Sequence, residues 1–166
     1  EDSKISDLIV RSQDHNEMEI LSLSQILAVK DYIQNNCSQN SVKSLIPLCF
    51  NNNQEISQIV LKLIAENIKD IEVYLKLIES GLPRLEETAK NYFLSLEPTD
   101  DEYYSTILIL CDSPFDDVQV FGLDLIKKNI SYLPRSSLLK SLAETKNKII
   151  QEYVAHELKN MLLNKK

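Results

Sequence analysis

The chain has 166 residues, 43% of them hydrophobic, enough to bury a sizeable core as one compact domain or one short stack of repeats. It holds two glycines and no tryptophan; sheet-rich chains lean on glycine at their turns, so an all-helical protein is expected. Net charge is −7, with +3 on residues 136–166 and −10 on the rest, which makes nucleic acid a poor default partner because phosphate repels an acidic body.

In chain order, residues 5–10 and 17–33 have helical spacing, the second with Ile20, Leu23, Leu27 and Tyr32 along one face. A polar stretch at 35–40 follows. Residues 1–40 are therefore expected to form degenerate N-terminal capping helices, and residues 41–166 one continuous domain of four helix pairs. In each pair an apolar helix A ends and an apolar helix B begins seven positions on: Cys49 to Ile56, Ile78 to Leu85, Cys111 to Val118 and Ala143 to Ile150. Counting from the helix-B anchor, position −8 is always leucine (Leu48, Leu77, Leu110, Leu142), and position −11 holds Leu45, Tyr74, Ile107 and Leu139.

The first helix B carries Ile56, Ile59, Val60, Leu63 and Ile64 at offsets 0, +3, +4, +7 and +8, one apolar stripe of a 3.6-residue period. The second carries Leu85, Thr88, Ala89, Tyr92 and Phe93 after a turn with Gly81 and Pro83. In the third copy the spacing predicts helix A over Asp101–Cys111, a turn at Ser113-Pro114, and helix B through Val118, Phe121, Gly122, Leu125 and Ile126. Asp116 or Asp117 is expected to cap it, and Asn67 and Asn129, both at offset +11, to end their helices in the left-handed conformation. In the fourth copy, Ile150, Tyr153, Val154 and Leu158 keep the stripe while Glu157 breaks it, as suits a terminal repeat whose outer face meets water.

Helix pairs recurring every 29, 33 and 32 residues between anchors point to a solenoid, a class that usually binds rather than catalyses. The segment from Asp112 to Leu123, echoed from Glu144 to Ala155, resembles HEAT repeats, the short bacterial variety above all, over about residues 41–163. The resemblance implies an all-α, right-handed α–α superhelix and protein–protein binding as scaffold, adaptor or regulatory domain. One enzyme class with this architecture, the HEAT-like alkylpurine DNA glycosylases, is the alternative; it requires a basic concave face, against which the −10 body counts.

Few residues suit chemistry. Cys37, Cys49 and Cys111 form no CxxC, and two of them share one repeat position, where small core side chains are expected. Reduced thiols point to the cytoplasm. His15 and His156 lack the spacing of a metal site, and two glycines cannot build a phosphate-binding or dinucleotide loop. Acidic clusters at 86–87, 100–102 and 116–117 fall at helix starts, where carboxylates complement the dipole. No catalytic residue, cofactor or metal is expected, and no apolar run is long enough for a membrane span.

What remains is surface. Offsets +2 and +6 on helix B lie off the apolar stripe and give a ladder of Gln58, Lys62, Glu87, Asn91, Val120, Asp124, Glu152 and His156. Of these, Lys62, Glu87, Asn91, Val120, Asp124, Glu152 and His156 are the candidate partner-binding residues, suited to a protein or peptide of basic character. Tyr103, Phe115 and Leu123 are expected to add exposed apolar contacts.

Overall fold

A computed structural model of the chain describes residues 39–50 and 54–163, with Leu27, Ala28 and Asp31 as isolated positions. The expected helix at 5–10, most of that at 17–33, His15 and Cys37 lie outside the described residues. From Gln39 to Leu163 the described chain is helical, with no strand among the described residues. It divides into two compact units, Glu1–Asp70 and Ile71–Lys166.

In the first unit, α1 (Gln39–Ser44) leads into a 3-10 turn (Ile46–Phe50), and both pack on α2 (Gln54–Asn67). The expected single helix A is broken here. Pro47 lacks an amide proton and its ring obstructs a continuing α-helix, so the chain tightens, with the Leu48 amide bonding the Leu45 carbonyl at 2.9 Å. The register survives the break: Leu45, Leu48, Cys49, Ile56, Val60 and Ile64 are all buried. Ser57, also buried, donates its hydroxyl proton to the Cys49 carbonyl at 2.7 Å and satisfies a helix-end acceptor. Lys43 pairs with Asp70 at 2.5 Å.

The second unit contains three helix pairs: α3 (Ile71–Ile78) with α4 (Pro83–Ser95), α5 (Asp101–Cys111) with α6 (Asp116–Asn129), and α7 (Arg135–Leu142) with α8 (Lys148–Leu163). Beyond these hairpins, α5 packs on α7 and α6 on α8, like helix on like. Phe93 of α4 meets Phe121 of α6 with ring centroids 6.4 Å apart. Tyr74 of α3 stacks on Tyr92 of α4 at 3.6 Å, edge-on to Phe93 at 6.4 Å. Leu77, Leu110 and Leu142 are buried, as are Tyr74, Ile107 and Leu139. Ala143 is the exception among the helix-A ends, being exposed, while its partner Ile150 is buried.

The three A–B turns of this unit share one construction. The hydroxyl at anchor −5 accepts a hydrogen bond from the amide two residues on: Ser80 from Leu82 (3.2 Å), Ser113 from Phe115 (3.4 Å) and Thr145 from Asn147 (3.4 Å). At anchor +1, the Gln119 and Gln151 side-chain amides donate back to the Ser113 and Thr145 carbonyls, at 2.5 and 2.9 Å. Glu86 stands at that place in α4 and as a carboxylate has no proton to give. The turns are also tied to one another. Ser113 donates to Glu79 at 2.7 Å, and the Asn147 amide donates to Asp116 at 3.2 Å.

Several expectations are corrected. Asp116 and Asp117 are the first residues of α6, with Phe115 at the cap position and no side-chain cap bond; Asp116 accepts from Asn147 instead. The side-chain cap appears in the last pair, where Asn147 Oδ1 accepts from the Ile149 and Ile150 amides at 2.9 and 3.3 Å. Neither Asn67 nor Asn129 is left-handed. Among the described residues only Gly81 has positive φ, at 69°, whereas Asn129 sits at φ −118° and passes into the 3-10 turn Ile130–Tyr132. Asn67 instead donates to the Leu63 carbonyl at 3.0 Å, and Asn129 to the Tyr103 hydroxyl at 2.5 Å. Glu157 does not face water: its side chain is 13% exposed and ion-paired with Arg135 of α7, so the stripe is interrupted by a charge that its own hairpin neutralises.

Candidate protein-interaction surface

The ladder residues are carried on the B helices because the apolar stripe turns offsets 0 and +4 inward. Val60, Ala89, Gly122 and Val154 at +4 are all buried. In the first unit Lys62 is exposed on α2 and lies 3.9 Å from Glu66. In the second, Glu87 and Asn91 are exposed on α4, Asp124 is exposed on α6, and Glu152 and His156 are exposed on α8. Val120 is half-buried, an apolar side chain between acidic rungs. The contacts of α4 with α6 and α6 with α8 put these three rungs on neighbouring helices.

Among the described residues the acids make loose local ion pairs, Asp124 with Lys127 at 3.8 Å and Glu152 with Lys148 at 3.9 Å, both well exposed. Pairs of this kind contribute at most about 1 kcal/mol and yield readily to a partner's cation. His156 is 68% exposed, with Nδ1 3.6 Å from Glu157 and 3.2 Å from the Asn160 amide.

Two of the three expected apolar contacts are corrected. Tyr103 and Leu123 are buried at 2% and 0% exposure, and Phe115 alone is at the surface, at 46%. Tyr103 is taken inward because Asn129 holds its hydroxyl, a partner 26 residues away that helical spacing cannot reveal. The structure adds apolar positions that periodicity missed: Leu82, Leu94, Ile109 and Ile149 are each more than one-third exposed. Leu82 and Phe115 share offset −3, a recurrence already present in the sequence.

Two clefts lie within the second unit. One of about 730 Å³ runs between α5 and α7, lined by Leu108, Ile109, Asp112, Lys140 and Glu144 among others. A smaller one of about 290 Å³ is bordered by Tyr92, Asp100, Glu102, Tyr103 and Thr106. Cys111 adjoins the larger cleft, but burial pushes its thiol up to about 12, so it stays protonated and poorly nucleophilic. Burial also raises Tyr74 to about 12, aided by Tyr92, and raises Tyr103 against the opposing Asn129 hydrogen bond. Among the described residues no group of three or more His, Cys, Asp or Glu is placed to hold a metal, and no helix is long and apolar enough to cross a membrane.

Compared with protein-family models, curated proteins and solved structures, the chain matches none.

Proposed function

We propose that this chain is a non-enzymatic, HEAT-like repeat module, a short right-handed α–α superhelix, that binds a protein partner as scaffold, adaptor or regulatory domain. The observation that supports this most is the repeated register of the second unit. Equivalent offsets are buried in successive pairs, like helices pack on like, and the leftover face of each B helix presents polar and acidic groups. Repeats stacked this way create extended surfaces rather than enclosed sites. Glu87, Asp124 and Glu152 favour a basic segment, Asn91 and His156 supply hydrogen bonds, and Val120 supplies apolar contact, with Lys62 the basic member on α2. The thiol adjoining the larger cleft is held protonated, which argues against Cys-based chemistry there.

The reading is tested with a display library of random twelve-residue peptides selected on the immobilised chain. Enrichment of Lys- and Arg-containing peptides is expected. Their affinity should fall several-fold between 50 and 300 mM salt, because interactions between exposed charges are screened beyond about 10 Å at 0.1 M. Charge reversal at Glu87 and Asp124 should lower it about tenfold or more. Selected peptides whose binding ignores both salt and charge reversal would refute the mechanism, and failure to enrich any peptide would refute the surface.

A further inference from the structure

The outer face of α8 differs from its equivalents on the earlier B helices. At offset +8, Ile64, Phe93 and Ile126 are all buried, whereas Leu158 is 46% exposed. At +5, Leu61 and Leu123 are buried, whereas Ala155 is exposed. At +12, Ile68 is buried and Leu162 is 72% exposed. The reason is visible in the preceding contacts. Phe93 at +8 of α4 meets Phe121 at +3 of α6, and Lys127 at +9 of α6 lies 5.8 Å from the ring of Tyr153, at +3 of α8. Within the second unit α4 thus receives α6 and α6 receives α8 on this side, and α8 carries an apolar face with no helix of the described residues upon it.

We infer that α8 is a self-association helix, on which a second copy of the chain packs antiparallel through its own α8. The face is self-complementary about a two-fold axis between His156 and Glu157. In that register Ala155 opposes Leu158 of the second copy, so a small side chain meets a larger one. The flanking charges agree. Glu152 and Lys159 border the same edge of the face, and the antiparallel register brings Glu152 of each copy to within two residues, about 3 Å of axial rise, of the point facing the other copy's Lys159. Two equivalent ion pairs form, of opposite sign across the axis. α8 spans 16 residues, roughly 24 Å at about 1.5 Å per residue, so the contact is small and the dimer weak, with Kd in the micromolar range.

Sedimentation equilibrium of the full chain, from about 5 to 500 µM, tests this. The mass should rise from 19.1 kDa toward twice that value. Leu158→Glu and Leu162→Glu alter exposed side chains and should leave the circular dichroism unchanged while weakening association tenfold or more. Glu152→Lys and Lys159→Glu should each weaken it, and the double exchange should restore it, an outcome that general surface stickiness does not give. A chain that stays monomeric throughout this range overturns the proposal and leaves the face to another occupant. A dimer indifferent to both leucine changes, or one not restored by the double exchange, overturns it equally. Glu152 borders both surfaces, but the peptide test turns on Glu87 and Asp124 and the dimer test on Leu158 and Leu162, so either can fail while the other stands.

Discussion

Gly122 of α6 packs against the end of α5, and replacing it with alanine isolates a single steric effect. A β-carbon built there lies 3.0 Å from Cys111 Sγ, 3.0 Å from Leu110 Cβ and 3.1 Å from the Cys111 backbone nitrogen. Two of these neighbours are backbone or backbone-proximal, so α5 itself must move. Overpacking of this kind costs about 1–3 kcal/mol. Against it, alanine in mid-helix gains roughly 0.5–1 kcal/mol over glycine. Clash should win, leaving a net loss of about 1 kcal/mol and a fall of several degrees in Tm for a unit of this size. Urea denaturation followed by far-ultraviolet circular dichroism measures it. A companion Cys111→Ala change should recover part of the penalty by removing the Sγ contact, a coupling that a double-mutant cycle reads directly. If Gly122→Ala proves as stable as the parent or more so, the close-approach argument is wrong.

Other outcomes follow from the same structure. Leu110→Ala, at a fully buried position, should cost about 2–5 kcal/mol, whereas Leu94→Ala, at 47% exposure, should cost well under that, both read as shifts in denaturation midpoint. Gly81→Ala has open space around it but a φ of 69°, so about 1 kcal/mol should be lost to backbone strain alone. Asn147→Ala removes the cap on the first turn of α8 and the link to Asp116, and should cost about 1–2 kcal/mol, with Asn147→Asp keeping the cap acceptor but losing the amide donor. The neutral forms of Cys111, Tyr74 and Tyr103 are favoured by folding, because their folded pKa values lie above the ordinary ones of 9.0 and 10.0. Their stabilisation is complete below pH 9 and is lost as pH rises through the folded values, about 12 for Cys111 and Tyr74, so the urea midpoint should fall above pH 9 while tyrosinate absorbance grows on unfolding.

Much of this chain's organisation is legible in its sequence, because the helical period fixes the angular position of every side chain on its own helix. Leucine at −8 and the anchor four to a stripe predict burial, and Leu48, Leu77, Leu110 and Leu142 are buried. Helix A of the third copy, Asp101–Cys111, has the bounds its spacing predicts. The hydroxyl at −5 and glutamine at +1 were equally present, yet their meaning depends on hydrogen bonds that only the folded turn discloses.

Tertiary structure decided which polar and aromatic groups lie inside. Tyr103 goes in because Asn129 meets its hydroxyl, Glu157 because Arg135 neutralises it, and Asp116 accepts from Asn147 instead of capping its own helix. Each of those partners is more than 20 residues distant, and a local pattern carries no information on where such a group will arrive. The exposure of Leu158 has the same origin. The sequence by itself determined that residues near offset +8 are apolar, and only the packing of another helix decided whether they are core, as Phe93 against α6, or surface, as Leu158 among the described residues.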